Sequence, residues 1–113
     1  MKVYLSHPYG RKAENREKAA KIAAWYRKTW EKDGMEHELV NPLDELKREE
    51  SRNTEDEMLA LAAELLQKCD AVIFADGWKK SRGCRYEHMI ANAKGIKIGY
   101  IPPEFCYIIG GAA

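Results

Sequence analysis

Short apolar runs alternate with helical segments along the whole chain. The runs are KVYLS (2–6), HELV (37–40), AVIFA (71–75) and IKIGYI (96–101), and turn signals such as His-Pro-Tyr-Gly and Asn-Pro separate them from the next helical segment. Strands that alternate with helices form a parallel sheet with right-handed crossovers. We therefore expect a single α/β domain over residues 1–113. Its sheet would be mainly parallel with four to five strands, the fifth being FCYII (105–109), and the tail GGAA would be frayed.

The intervening segments carry helical periodicity and end signals. From about residue 12 to 32, apolar side chains recur on one face, namely Ala19, Ile22, Ala23, Tyr26 and Trp30. Thr54 stands three residues before Glu57, the spacing of a capping box, and starts a helix that runs to about Lys68. Its predicted buried face comprises Met58, Leu61, Ala62, Leu65 and Cys69. A third helix is expected from about Ser81 to Lys94, with Gly95 as its C-cap. The polar residues 43–53 predict a short helical turn and then a mobile loop.

Composition excludes several classes of function. Nineteen basic and eighteen acidic residues nearly cancel, so no overall charge draws the chain to nucleic acid or to membranes. The N-terminal run lacks the pattern of a signal peptide, and three cysteines without metal-ligand spacing favour a reduced, cytoplasmic protein. We expect no metal and no cofactor. Each cysteine is expected to act as a small hydrophobe that is buried or half-buried.

Three loops should meet at the carboxyl edge of the sheet, where open α/β sheets bind ligands. The first is SHPYG, the second is the Asn-Pro after residue 40, and the third is ADGWKKSRG. Ser81 can cap the following helix and Gly83 allows close backbone approach, so this turn could hold an anion with help from the basic residues around it. Trp78 could stack on a nucleobase or pack against the surface. The candidate substrate contacts are Ser6, His7, Pro8, Tyr9, Asn41, Gly77, Trp78, Ser81, Arg82 and Gly83.

Glu87 is a single carboxylate within this basic stretch. One interpretation is a surface glutamate paired with arginine or lysine. The other is a nucleophile that the helix dipole and the nearby arginines keep ionised. Spacing alone favours the surface pairing.

Three pieces in order, KVYLSHPYG, LVNP and CDAVIFADGWKKSRGCRYEHMIANAKGIKI, make the chain resemble the nucleoside 2-deoxyribosyltransferase-like superfamily. It is most similar to the small bacterial and phage branch of the domain of unknown function 4406 type. The resemblance implies a flavodoxin-like three-layer sandwich and a homodimer or larger homo-oligomer. It implies cleavage or transfer of the N-glycosidic bond of a (deoxy)nucleoside or nucleoside 5′-monophosphate. Glu87 would be the nucleophile, Tyr4 its supporting catalytic residue, and Ser81 a contact to sugar or phosphate.

One position departs from that family pattern. Members usually carry an aspartate eight residues before the aspartate of the CDAV segment, and this chain has Ala62 there. Glu55, Asp56 or Glu64 could take over its role in proton transfer or sugar contact. The substitution keeps open a second function, a catalytically impaired module that binds nucleotides. A third alternative is a structural protein whose surface aromatics mark an interface with a partner.

Overall fold

The structure, a computed structural model, describes residues 1–110 and is built on a four-stranded sheet. Its strands are β1 (Lys2–Ser6), β2 (Glu38–Val40), β3 (Ala71–Phe74) and β4 (Lys97–Tyr100), all parallel, in the order β2-β1-β3-β4. The predicted α/β class with a parallel sheet is confirmed. β2, the next strand along the chain, lies on one side of β1, and β3 lies on its other side. The carboxyl ends of β1 and β3 therefore form the switch point at which such sheets bind ligands.

Helices cover both faces of the sheet. On one face, α1 (Ala13–Lys32) and α5 (Pro103–Gly110) pack over Val3 and Leu5. On the other face, α3 (Glu55–Gln67) and α4 (Arg82–Lys94) pack over Tyr4 and Phe74. Alternate residues of β1 serve opposite faces because side chains along a strand point alternately up and down. The result is the flavodoxin-like three-layer sandwich that the resemblance implies. Within residues 1–110, no helix is long and apolar enough to cross a bilayer.

The predicted fifth strand is wrong. FCYII lies within α5, which begins at Pro103 and packs Phe105, Cys106 and Ile109 against the core beneath α1. Proline suits the first turn of a helix because the backbone N–H groups of that turn have no hydrogen-bond partner within the helix, so the missing N–H of proline costs nothing. A five-residue apolar run fits a buried helix as well as a strand, and periodicity does not separate the two at this length. Residues 111–113 of the predicted frayed tail lie outside the described residues.

The predicted start of the helix α3 is confirmed, and Cys69 of its predicted face is buried in the core. The two most buried residues of the helix itself, however, were not predicted. Thr54 and Glu57 form the reciprocal capping box. Ala63 and Leu66 are the fully buried residues of the helix, whereas Leu61, Ala62 and Leu65 are half-buried. Part of the predicted buried face is therefore not core, because this side of α3 also borders a cleft that Ala62 helps to line.

The polar segment 43–53 is largely helical. The helix α2 (Pro42–Glu45) is followed at once by a 3₁₀ helix, Lys47–Arg52. Asn41 caps α2 by accepting a hydrogen bond from the backbone N–H of Leu43. The predicted helical turn is confirmed, and 3₁₀ structure replaces most of the predicted loop. This segment forms one side of the same cleft.

Candidate functional site

The sequence of α4 turns Glu87 toward the protein interior. Ser81 caps the helix by accepting from the backbone N–H of Cys84 at 3.3 Å, and Gly95 ends it in the left-handed conformation that glycine adopts readily. Cys84, Glu87 and Ala91, spaced by three and four residues, form the buried stripe. Glu87 is only 6% exposed, so the interpretation as a surface glutamate is wrong.

Both carboxylate oxygens of Glu87 accept hydrogen bonds from β1. The Tyr4 hydroxyl donates to Oε2, and the Ser6 hydroxyl donates to Oε1 at 2.8 Å. Tyr4 and Ser6 are two residues apart on the strand, so both point to the α4 side of the sheet, and both are fully buried. Two core hydroxyls therefore fix the orientation of one buried carboxylate.

Burial dominates the titration of Glu87. Removal from water raises its pKa from 4.5 to about 7, while the hydrogen bonds from Tyr4 and Ser6 act in the opposite direction and limit the rise. The helix dipole and the nearby arginines were expected to favour the ionised form, but burial is the largest influence and raises the pKa. Burial, with the adjacent carboxylate, also raises the pKa of Tyr4 well above its ordinary value. Glu87 can therefore gain or lose a proton near neutral pH, which suits a reacting carboxyl group.

Glu87 opens onto a cleft of about 220 Å³. Part of its lining is apolar and comprises Leu43 in α2, Leu46 immediately after α2, and Met58 and Leu59 in α3. The polar side chains of the lining include Tyr9, Arg16 and Glu50. A cleft with an apolar wall and a few polar groups is typical of small-molecule sites.

The predicted site residues divide between this cleft and its surroundings. Those that line it are Tyr4, His7, Tyr9, Ser81, Gly83 and Glu87. Ser6 and Asn41 do not line the cleft. Ser6 donates a hydrogen bond to Glu87, and the buried Asn41 caps α2. Pro8 lines a second cavity, of about 410 Å³, together with residues of α1 and of the region of α5 and with Asp76, two residues after β3. His7 borders both cavities.

Three further predicted contacts also lie outside the lining of the cleft. Gly77 holds a positive φ of 88° in the turn after β3. Trp78 stacks on His88, with ring centroids 4.3 Å apart, and on Tyr100, so it packs against its own domain. Arg82 pairs with Asp56 at 2.6 Å and with Glu55 at 3.6 Å on the surface.

Arg16 and Glu50 are among the cleft residues that were not predicted from the sequence. An Arg16 Nη2 donates to Glu50 Oε2 at 2.6 Å, and Tyr9 donates to both oxygens of Glu50 at 2.8 and 2.9 Å. The two residues are 34 positions apart, and each lies in a highly charged stretch. No local pattern distinguishes them from solvated neighbours, because tertiary approach alone brings them together.

Glu50 and Glu55 are the carboxylates that share the cleft lining with Glu87 and Ala62. Of the three proposed substitutes for the usual aspartate, Glu55 reaches the cleft, while Asp56 pairs with Arg82 and Glu64 is exposed outside the lining. Among residues 1–110, no cluster of three histidine, cysteine or acidic side chains has the arrangement of a metal site.

Comparison with family models places the arrangement in a group. The model of DUF4406, a domain of unknown function, matches residues 1–100. The chain belongs to the DUF4406 family. The match runs from β1 to the end of β4 and so includes Tyr4, Ser6 and Glu87 as well as every residue that lines the cleft. No curated protein and no solved structure matches the chain.

Proposed function

We propose that this DUF4406 domain cleaves or transfers the N-glycosidic bond of a (deoxy)nucleoside or nucleoside 5′-monophosphate, with Glu87 as nucleophile. The observation that carries the proposal is a buried carboxylate that borders a cleft of about 220 Å³ and is oriented by two hydroxyl donors. A carboxylate is the group that glycosyl transfer with retention uses to form a covalent intermediate. The resemblance of GWKKSRGCRYEH and KVYLSHPYG to nucleoside 2-deoxyribosyltransferases supports the same chemistry.

In the first step, a carboxylate oxygen of Glu87 attacks the anomeric carbon of the sugar. The C1′–N bond breaks, and its electron pair leaves with the base, which takes up a proton. The bonds from Tyr4 and Ser6 hold the carboxylate in place, and they ease removal of its proton before the attack. Poor hydration leaves the ionised carboxylate little solvent to shed as the transition state forms.

In the second step, water or the nitrogen of another base attacks the same anomeric carbon. The bond between the sugar and Glu87 breaks, the carboxylate regains its electron pair, and the attacking group loses a proton. With water as acceptor, the sum of the two steps consumes one nucleoside and one water and releases sugar and base. Arg11 and Lys47 also line the cleft, and their charges support a 5′-monophosphate among the substrates.

Base release measures the proposed reaction directly. The protein is incubated with a panel of ribo- and deoxyribonucleosides and their 5′-monophosphates, and freed base is separated by chromatography. We expect release by the wild type, and its loss by about 10³-fold or more in Glu87→Ala. Glu64→Gln, an exposed carboxylate on α3 outside the cleft lining, is the matched control. Release that survives Glu87→Ala, or no release from any compound, would overturn the proposal.

A covalent intermediate has its own signature. A 2-fluoro-sugar nucleoside slows breakdown of the glycosyl-enzyme more than its formation, so intact mass spectrometry should show one added sugar. The adduct should map to Glu87 after proteolysis and be missing from Glu87→Gln. An adduct at another residue would move the nucleophile elsewhere.

A nucleotide-binding module without turnover is the second candidate, and Ala62 in the cleft lining favours it. Its prediction is thermal stabilisation by a nucleotide without base release. A ligand at about 100 times its dissociation constant stabilises the folded state by about 2.7 kcal/mol. Absence of any shift in the melting curve contradicts this candidate.

Homo-oligomer formation and a cytoplasmic location are further proposals. Light scattering on the purified protein tests homo-oligomer formation.

A further inference from the structure

Glu50 lines the cleft and is held there by hydrogen bonds from residues in two other segments of the chain. Tyr9 comes from the loop after β1, Arg16 from the first turns of α1, and Glu50 from the 3₁₀ helix after α2. The side chains of Arg16 and Glu50 are 20% and 23% exposed, and both line the cleft. Arg16 Nη1 also donates to the carbonyl of Leu43 at 2.7 Å, and its guanidinium carbon lies 5.0 Å from the centre of the Tyr9 ring. The carboxylate therefore has a fixed position.

The two oxygens of Glu50 differ in what they accept. Oε2 accepts from Tyr9 and from Arg16, whereas Oε1 accepts only from Tyr9 among the described residues. Each carboxylate oxygen offers about two lone-pair sites, so Oε1 has capacity for another donor. An ionised carboxylate accepts hydrogen bonds and donates none. A ligand group beside it must therefore present an N–H or O–H.

The lining of the cleft also has an apolar part. Leu43, Leu46, Met58 and Leu59 give it an apolar surface, against which a flat ring can lie. The leaving group of the proposed reaction is such a ring. Bases differ at their edges in a way that a carboxylate distinguishes, because adenine and cytosine carry an exocyclic amino group where hypoxanthine and uracil carry an oxygen.

We propose that Glu50 is a specificity-determining residue that selects bases bearing an exocyclic amino group, through a hydrogen bond to Oε1. The inference rests on the proposed function and names the class of base for the same cleft. Tyr9 and Arg16 are positioning residues that hold the carboxylate in the cleft wall. In the same pose, an oxo base would place the lone pairs of its exocyclic oxygen against Oε1 in the position where the amino group donates. A site built around a hydrogen bond rejects ligands that lack it.

Matched pairs of substrates test the inference. The ratio of kcat/KM is measured for adenosine against inosine and for cytidine against uridine, with the deoxy forms in parallel. A hydrogen bond to a charged group predicts a ratio of about 10- to 100-fold in favour of the amino base. In Glu50→Gln the amide both donates and accepts, so the ratio should fall by about tenfold or more. Glu49→Gln, in the same 3₁₀ helix but outside the cleft lining, should keep the wild-type ratio.

A purely structural role for the network predicts a different result. If Glu50 only ties the 3₁₀ helix to α1, Glu50→Gln lowers the melting temperature and changes both substrates equally, and this outcome overturns the inference. If Glu50→Gln does not fold, Tyr9→Phe removes the hydroxyl that orients Glu50 and keeps the ring. The ratio should then fall in Tyr9→Phe, and a ratio equal to that of the wild type overturns the inference.

Failure of the proposed function is a distinct outcome. If no nucleoside is cleaved, binding of free adenine and hypoxanthine is compared by thermal shift in the wild type and in Glu50→Gln. Stronger stabilisation by adenine, lost in the variant, supports the role of Glu50 without any turnover. Equal stabilisation by the two bases, or none by either, overturns it. A wild type that cleaves amino and oxo bases at equal rates leaves the proposed function standing and overturns this inference alone.

Discussion

At the scale of single residues, Glu87 is set by the opposition between burial and two hydrogen bonds. Burial favours the neutral carboxyl group, whereas the hydroxyls of Tyr4 and Ser6 favour the carboxylate. The proposed attack needs the carboxylate, so kcat/KM for base release should rise as pH passes about 7. Substitution of either donor should move this rise to higher pH.

Tyr4→Phe removes the donor to Oε2 and keeps the ring that fills the core. We expect the pKa of Glu87 to rise above its wild-type value, with a larger loss of kcat/KM at about pH 6 than at about pH 9. Carbon NMR of the Glu87 carboxyl group reports the pKa without any assay of activity. Tyr26→Phe is the control, since Tyr26 packs on the opposite face of the sheet. An unmoved titration in Tyr4→Phe would contradict the role given to its hydroxyl.

At the scale of elements, the turn after β3 decides where α4 begins. Gly77 adopts a φ of 88°, a conformation that costs a residue with a side chain about 1–2 kcal/mol. We expect Gly77→Ala to lower the free energy of unfolding by about that amount, measured by urea denaturation. Gly99→Ala is the matched control, because Gly99 has no positive φ and an added Cβ would meet Ile73 at an ordinary 3.5 Å. Equal losses in the two variants would show that backbone conformation at Gly77 is not the cause.

The elements also show which features a sequence reveals. Strands β1 to β4, α1, α3 and α4 were predictable because their periodicity and caps are local. The helix α5 was missed because its apolar run is too short to separate a helix from a strand. Ser6 and the turn before α4 were expected at one sheet edge, since topology brings those loops together. The pairing of Tyr4 with Glu87 was implied only by the family resemblance. The Arg16–Glu50 pair and the raised pKa of Glu87 were beyond prediction, because ion pairing and desolvation depend on tertiary packing.

At the scale of the whole molecule, one buried carboxyl group should make global stability depend on pH. The folded protein holds a proton on Glu87 up to about pH 7, whereas a carboxyl group at its ordinary value releases it near 4.5. Between these values the unfolded chain binds fewer protons than the folded chain, so the contribution of Glu87 to stability falls as pH rises. The contribution is full below about 4.5, is lost across the window, and is constant above about 7.

Glu87→Gln removes this dependence while preserving the size of the side chain. Tyr4 and Ser6 can each donate to or accept from the new amide, so the buried site stays hydrogen-bonded. We expect the variant to gain on the wild type by up to about 3 kcal/mol between about pH 5 and pH 8, from the shift of Glu87 alone. Thermal and urea unfolding of both proteins across this range measures the difference, with Glu64→Gln as an exposed control. Parallel stability curves for the wild type and Glu87→Gln would mean that Glu87 titrates at its ordinary value in the folded protein, and the nucleophile would then lack the desolvation invoked for it.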